Sequence, residues 1–182
     1  MHQRLIIDKR QLDLTLQRLC QELIENHGTF SDSVILGLQP RGIYPAKNLA
    51  IRLSKLIGNE IPIGFLDSTF FRDDFRRKNT PLLANSTHVP FLIENKKVIL
   101  VDDVLYTGRS VRASMDAMNA FGRPSKVELL VLIDRKYARE LPIEADYVGR
   151  RVNTLETEKV LVEWEGEESS NGKIWIMNKA NS

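Results

Sequence analysis

Cysteine is nearly absent. The 182 residues contain one, Cys20, so no disulfide can close within the chain. Cys20 falls on the apolar stripe of an expected helix and reads as core. Charge of one sign is also missing. There are 26 basic and 24 acidic side chains, a net of +2. That balance excludes a global field for nucleic acid and leaves only a local basic patch. No apolar run reaches membrane length and no leader segment is visible, so a cytoplasmic protein without a membrane partner is expected. Internal repeats and low-complexity tracts are absent. The three histidines, His2, His27 and His88, have no metal-ligand spacing. No Ser-His-Asp or Cys-His arrangement suggests nucleophilic catalysis. The two tryptophans, Trp164 and Trp175, read as core or interface rather than stacking platforms.

What is present fits an ordinary globular chain, with 42% apolar and 27% charged residues. The length suits a single domain spanning 1–182. Residues 10–27 read as a helix, with Leu12, Leu16, Leu19, Cys20, Leu23 and Ile24 on one stripe and Gly28 as its stop. Short apolar strands are expected at 34–38, 97–101 and 127–133, and extended chain at 61–70. Helices are expected at 43–57 and 109–121, each followed by glycine. Residues 160–164 and 173–177 read as a hairpin. Strands alternating with helices imply an α/β fold with a parallel sheet covered on both faces. Ligands bind such sheets at the carboxyl ends of the strands.

Residues 98–110 carry the chemistry. An apolar strand runs into Asp102 and Asp103, then a Thr107-Gly108-Arg109-Ser110 turn, then a helix. Amides at a helix start hold an anion, and Gly108 lets the backbone approach it. Thr107 and Ser110 add hydroxyls. Adjacent carboxylates suit sugar hydroxyls or a magnesium shell rather than phosphate. Phosphate, ribose and metal together describe phosphoribosyl diphosphate, PRPP. The Walker and dinucleotide glycine patterns are both missing. A plain strand-turn-helix with a polar turn is the bland alternative. A second loop, 37–42, also follows a buried strand and opens a helix, with Arg41 as a forked donor for phosphate. Residues 71–89 form a long charged stretch, the length of an active-site lid. Within it Arg72 and Asp73 are better candidates than Arg76 to Lys78, which read as a solvated charge run.

Residues 98–110 resemble the PRPP signature of type I phosphoribosyltransferases. Segments 67–74, 95–110, 113–117, 122–124 and 140–143 resemble the PyrR family. Members of that family are uracil phosphoribosyltransferases, and some attenuate pyrimidine operons by binding messenger RNA. The resemblance covers about 11–164. It implies the type I phosphoribosyltransferase fold, a central parallel sheet flanked by helices. A flexible lid loop is implied at about 71–90 and a small hood at about 135–178. It assigns PRPP binding to Asp102, Asp103, Val104, Leu105, Tyr106, Thr107, Gly108, Arg109 and Ser110. It assigns the diphosphate to Pro40, Arg41, Gly42 and Arg72, with Arg41, Asp102 and Asp103 catalytic. Arg135, Lys159 and Val160 fall at the nucleobase side. Pro40 stands where the family usually has threonine, and a cis peptide at Gln39–Pro40 is expected. The segment 135–140 is one residue longer than usual.

The implied reaction is uracil plus PRPP giving UMP and diphosphate, with Mg2+ held mainly through PRPP. Relatives acting on 6-oxopurines usually carry aspartate just before the Thr-Gly pair. Tyr106 stands there and argues for a pyrimidine. Two other readings stay open. One is a nucleotide-sensing attenuator that binds an RNA leader with little catalysis. The other is a phosphoribosyltransferase for another nucleobase. For RNA, the first helix offers Gln17 and Gln21 without the usual Thr and His, and Glu144 replaces a usual basic residue. Arg135, Lys136, Arg139, Arg150 and Arg151 keep positive charge nearby, or form a solvated basic surface. A homodimer or higher homo-oligomer is expected from the resemblance.

Overall fold

The computed structural model describes residues 3–73, 84–166 and 171–179. The chain runs through β1 (Gln3–Ile7), α1 (Lys9–His27), β2 (Ser33–Leu38), α2 (Ile43–Ile57) and β3 (Ile63–Leu66). It continues through β4 (Lys97–Leu105), α3 (Arg109–Met118), β5 (Lys126–Lys136), β6 (Tyr147–Asn153), β7 (Glu158–Trp164) and β8 (Gly172–Asn178). Short 3-10 turns lie at Thr69–Phe71 and Asn119–Phe121. Among the described residues no helix is long and apolar enough to cross a membrane.

Local sequence explains the helix ends. Asp8 caps α1: its carboxylate accepts the Gln11 N–H at 2.8 Å, and the Gln11 side chain accepts the Asp8 N–H at 3.1 Å. Leu12, Leu16, Leu19, Cys20 and Leu23 form the buried stripe that sequence spacing predicts. Helix α2 ends at Gly58, whose φ of +82° is the left-handed turn glycine favours.

The large sheet has strand order β3-β2-β4-β5-β6, every neighbouring pair parallel. Its central strands are continuous apolar runs because both faces are covered. On one face Ile35, Ile99, Val101, Leu130 and Leu132 pack against α1 and α2. On the other, Leu36, Val98, Leu100, Leu129 and Val131 pack with Val111, Ala117 and Met118 of α3. Strand β2 lies between β3 and β4, so the chain leaves β2 in one direction and later returns on its opposite side. A crevice opens where the order reverses, between the carboxyl ends of β2 and β4.

A small antiparallel sheet, β1-β8-β7, completes the structure. It contains the hairpin expected at the C-terminal end, and it recruits β1, which sequence reading leaves unassigned. Strand β6 is also unassigned in the sequence and extends the large sheet. Residues through Lys136 and those of β6 therefore belong to the large sheet, although they fall within the range expected for the hood. Helix α3 stops three residues before the expected end and passes into the turn at Asn119–Phe121.

At the amino ends of the strands a buried polar knot fastens α1. His27 Nδ1 lies 2.8 Å from Ser33 Oγ on β2 and Nε2 lies 3.1 Å from the Tyr147 hydroxyl on β6. Nε2 is also 2.8 Å from a carboxylate oxygen of Glu128 on β5, with side chains 1% and 6% exposed. Lys126 holds the other Glu128 oxygen at 2.6 Å. Burial lowers the His27 pKa against the upward pull of Glu128 and pushes the Tyr147 pKa up to about 12. A histidine with a depressed folded pKa binds its proton more readily when unfolded. Its stability contribution is therefore present above about pH 6.5 and lost as pH falls below it. The expected outcome is a thermal midpoint that drops between about pH 7 and pH 5, with a slope shallower by roughly 2–4 °C in His27→Gln. Parallel slopes in the two proteins would assign the sensitivity to other groups.

Candidate active site

Strands β2 and β4 run in register from Ser33 beside Lys97 to Gly37 beside Val101, after which β2 stops at Leu38 and β4 runs on. The loop after β2 turns at once into α2. Its Gln39–Pro40 peptide is cis, as sequence reading expects. Gly42 donates its N–H to Leu38 O at 2.7 Å. A Cβ on Gly42 would lie 2.2 Å from Val101 O and 2.6 Å from Leu38 O, so only glycine passes here. The loop after β4 reaches Gly108, whose φ of +91° starts α3. Strand β4 continues through Asp102 and Asp103 to Leu105, four residues beyond the expected apolar run.

Three adjoining cavities fill the crevice. The central one, about 340 Å³, is lined by Arg41, Arg72, Asp102, Asp103 and Ser110, together with Ser68, Thr69 and Asn85. A second, about 270 Å³, follows the turn from Val104 through Val111 and shares Arg72, Asp102 and Ser110. A third, about 460 Å³, lies outside Arg41, between Tyr44 and β7 residues Val162 and Trp164, and shares Pro40, Arg41 and Asp103. Trp164 stacks on Tyr44 at 6.3 Å and 20°, so it is a wall of this cavity. Tyr44, Ser68, Thr69 and Asn85 escape sequence reading, and Trp164, expected as core or interface, also lines a cavity. Thr69 and Ser68 do lie inside the family-matched segment 67–74.

The electrostatics centre on two carboxylates in one corner. Asp103 is 6% exposed, and its N–H donates to Asp102 Oδ1 at 2.9 Å. Burial raises the Asp102 pKa well above the usual carboxylate range, and the neighbouring Asp103 charge adds to it. Burial also raises Asp103, against the lowering effect of Arg41. Arg41 stands 3.9 Å from Asp103 and is mostly exposed, so it neutralises the pair only in part. The corner favours a further cation. Among the described residues no cluster of three or more His, Cys, Asp or Glu could hold a metal by itself. The pair fits a divalent ion that arrives with other ligands and meets the carboxylates through water.

The described ends of the 71–90 stretch are fixed beside this corner. Asp67 accepts the Thr69 hydroxyl at 2.7 Å and the Asn85 N–H at 3.1 Å. Phe65 and His88 exchange backbone hydrogen bonds of 2.7 and 2.8 Å, and Gln39 Nε2 donates to Ser86 O at 2.6 Å. Asp73 pairs with Arg109, which also donates to Glu140 at 2.6 Å. Asp74 and the run Arg76 to Lys78 lie outside the described residues.

Arg135 is 4% exposed and stacks 3.9 Å from the Tyr106 ring centroid. It donates to Thr154 Oγ1 at 2.8 Å, Leu155 O at 3.3 Å and Glu158 O at 3.1 Å. Its charge is thus spent on the connection between β6 and β7. Lys159 and Val160 stand on β7, and neither is among the lining residues of these three cavities.

The crevice lies at a sheet switch point, and the fold is of the class of phosphoribosyltransferase domains. A family model described as phosphoribosyl transferase domain matches residues 6–165. The chain belongs to the PyrR family. It is 48% identical over 160 residues to a protein named "Bifunctional protein pyrR" from Enterococcus faecalis strain OG1RF, covering 88% of this chain and 89% of that one. The protein of the same name from Bacillus subtilis strain 168 is 45% identical over 160 residues, covering 87% and 88%. Among solved structures, the hypoxanthine phosphoribosyltransferase of Trypanosoma cruzi superposes with a TM-score of 0.71 over 97% of both chains at 13% identity, a likeness of fold.

The raised Asp102 pKa implies a stability cost at neutral pH. Asp102 holds its proton more readily folded than unfolded, so its contribution favours the fold in acid and is lost as pH rises through the folded value. Asp102→Asn is therefore expected to raise the thermal midpoint at neutral pH by roughly 3–6 °C, and to match the parent near pH 4. A lower midpoint at neutral pH would show that the carboxylate is already neutralised within the fold.

Proposed function

We propose that the protein transfers the phosphoribosyl group of PRPP to uracil, giving UMP and diphosphate. The observation that carries this reading is the pair of half-buried Asp102 and buried Asp103, standing between an amide-rich helix start and the Arg41 loop in adjoining cavities. Cleavage at the anomeric carbon develops positive charge on the sugar and negative charge on the leaving diphosphate. The chain then needs positioning and charge, not a covalent nucleophile. Residues Val104 to Ser110 hold the 5′-phosphate, with Gly108 giving the close approach. Asp102 and Asp103 accept the ribose hydroxyls and face the developing positive charge. Pro40, Arg41, Gly42 and Arg72 form the diphosphate side, and Arg41 stabilises the departing group. Asp102 and Asp103 would help hold Mg2+ arriving with PRPP, and the ion would supply positive charge that makes diphosphate a better leaving group. The stretch 71–90 acts as a lid, supported by the anchoring of its described ends through Asp67 and His88. Excluding water there prevents hydrolysis of PRPP.

The nucleobase sits beside Tyr106, whose ring is backed by Arg135. Tyrosine supplies no carboxylate to handle a purine ring proton, whereas the uracil N–H is acidic enough to need less help. A panel of uracil, orotate, hypoxanthine, guanine and adenine, offered with PRPP and magnesium, is expected to yield UMP selectively. Turnover of a purine would overturn the Tyr106 argument, and failure with every base would overturn the transferase reading.

A second reading, UMP-dependent binding of an RNA leader, draws support from the word "bifunctional" in the relatives' names. It also draws on a cavity of about 390 Å³ lined by Arg4, Arg150, Arg151 and Asn153. Two of the arginines counted from sequence as basic surface, Arg135 and Arg139, are turned inward to protein acceptors, which reduces the exposed positive face. If the reading holds, a pyrimidine-operon leader RNA binds with UMP present, and affinity falls steeply with salt. Retention that is indifferent to both UMP and salt would oppose it.

A further inference from the structure

We infer that Arg139 is a positioning residue of the phosphate cradle: it aims the backbone amides of the 106–108 turn at the ligand by holding their carbonyls from behind. The inference rests on the proposed reading of that turn as the 5′-phosphate site.

Strand β5 ends at Lys136, and the chain turns back through Tyr137 in the left-handed region, φ +62°. That reversal brings residues 139–141 against the outer side of the signature turn. The Arg139 guanidinium donates to Tyr106 O with one nitrogen and to Asp134 Oδ1 with the other, the latter at 2.5 Å. Asp134 is 9% exposed at its side chain and fixes the arginine. One step along, Thr107 O accepts two backbone donors, Glu140 N–H at 3.0 Å and Leu141 N–H at 3.2 Å. Ile143 lies on the same side, 3.3 Å from where a Cβ on Gly108 would sit.

In a trans peptide the C=O and the following N–H point in opposite directions. Among the described residues the only cis bond is Gln39–Pro40. Holding Tyr106 O outward therefore turns Thr107 N–H inward, and holding Thr107 O outward turns Gly108 N–H inward. Both amides then face the cavity lined by Tyr106 through Val111. The guanidinium also polarises the Tyr106–Thr107 peptide, making its N–H a stronger donor to an anion. Arg139 touches neither phosphate nor reacting atoms in this scheme. It acts through the backbone, and its planar fork holds the two acceptors in one fixed geometry, which a lysine ammonium on its flexible stem does not.

The test is titration of ribose 5-phosphate, with PRPP as second ligand, into the parent protein, Arg139→Met and Arg139→Lys. Arg139→Met is expected to bind ribose 5-phosphate about 30-fold more weakly, and Arg139→Lys about 5-fold, as expected for losing all or part of a charge-assisted hydrogen bond. In turnover the KM for PRPP should rise by a similar factor while the KM for the base stays within about twofold. Should Arg139→Met fail to fold, Arg139→Lys decides. Parent-like affinity in a folded variant overturns the inference, as does an equal rise in both KM values, which a general loosening of the fold would produce. A parent protein that binds neither ribose 5-phosphate nor PRPP overturns the functional reading itself and is recognised before any variant is compared.

Discussion

Everything in the site depends on β2 and β4 lying side by side while their loops depart to opposite faces of the sheet. Helix α2 packs on one face with α1, and α3 packs on the other. The two loops cannot cover each other, so the ends of the strands stay open to a ligand. The pairing tolerates almost no slack. Gly42 passes so close to Val101 O that a single methyl group would collide with it. Close approach there keeps Arg41 at the mouth of the crevice and Asp103 at its floor, 3.9 Å apart. A looser contact would widen the gap between the side proposed for diphosphate and the side proposed for ribose.

The same arrangement forces an electrostatic compromise. Two carboxylates adjoin in β4 directly after Val98 to Val101, which are completely buried. Burial raises the pKa of both, and Arg41 is too exposed to offset this for the pair. The hydrophobic sheet offsets this cost, with β2, β4 and β5 contributing apolar side chains to both faces. The polar knot around His27 sits at the other end of the sheet, where no ligand cavity opens among those lining the crevice. It ties α1 to three strands and lets the carboxyl end carry the strain of unpaired charge. The histidine, serine and glutamate there are geometrically close, yet their burial makes the cluster a fastening rather than a reactive site.

Legibility in the sequence followed burial. Strands β2, β4 and β5 were readable because a strand covered on both faces must be continuously apolar. Helix α1 was readable from its stripe and its glycine stop. The carboxylate pair and glycine turn were readable because their chemistry needs contiguous residues. Strand β1 was not, since five residues with three exposed carry little periodicity and the partner β8 lies at the far end of the chain. Strand β6 was hidden for a different reason. It is a sheet edge with Gly149, Arg150 and Arg151 at its centre, and Gly149 is demanded by Leu132 O, which a Cβ would approach to 2.4 Å. The Tyr44–Trp164 wall joins residues from two sheets, a contact no local pattern encodes.

Charge counting along the sequence misleads most where arginines are concerned. Five basic residues between Arg135 and Arg151 look like one surface. In the fold, Arg135 faces Tyr106 and the chain after β6, and Arg139 faces Tyr106 O and Asp134. Arg150 donates to Ile6 O, which joins the small sheet to the large one, and Arg151 lies 3.5 Å from the second Asp134 oxygen. Asp134 therefore links the turn around Tyr106 to the basic edge at β6 through two arginines on one carboxylate. Each arginine has its own Asp134 oxygen, so the two do not compete and the carboxylate holds both at once. The turn around Tyr106 and an exposed arginine of β6 are thereby joined through one carboxylate, by a hydrogen bond on one side and an ion pair on the other.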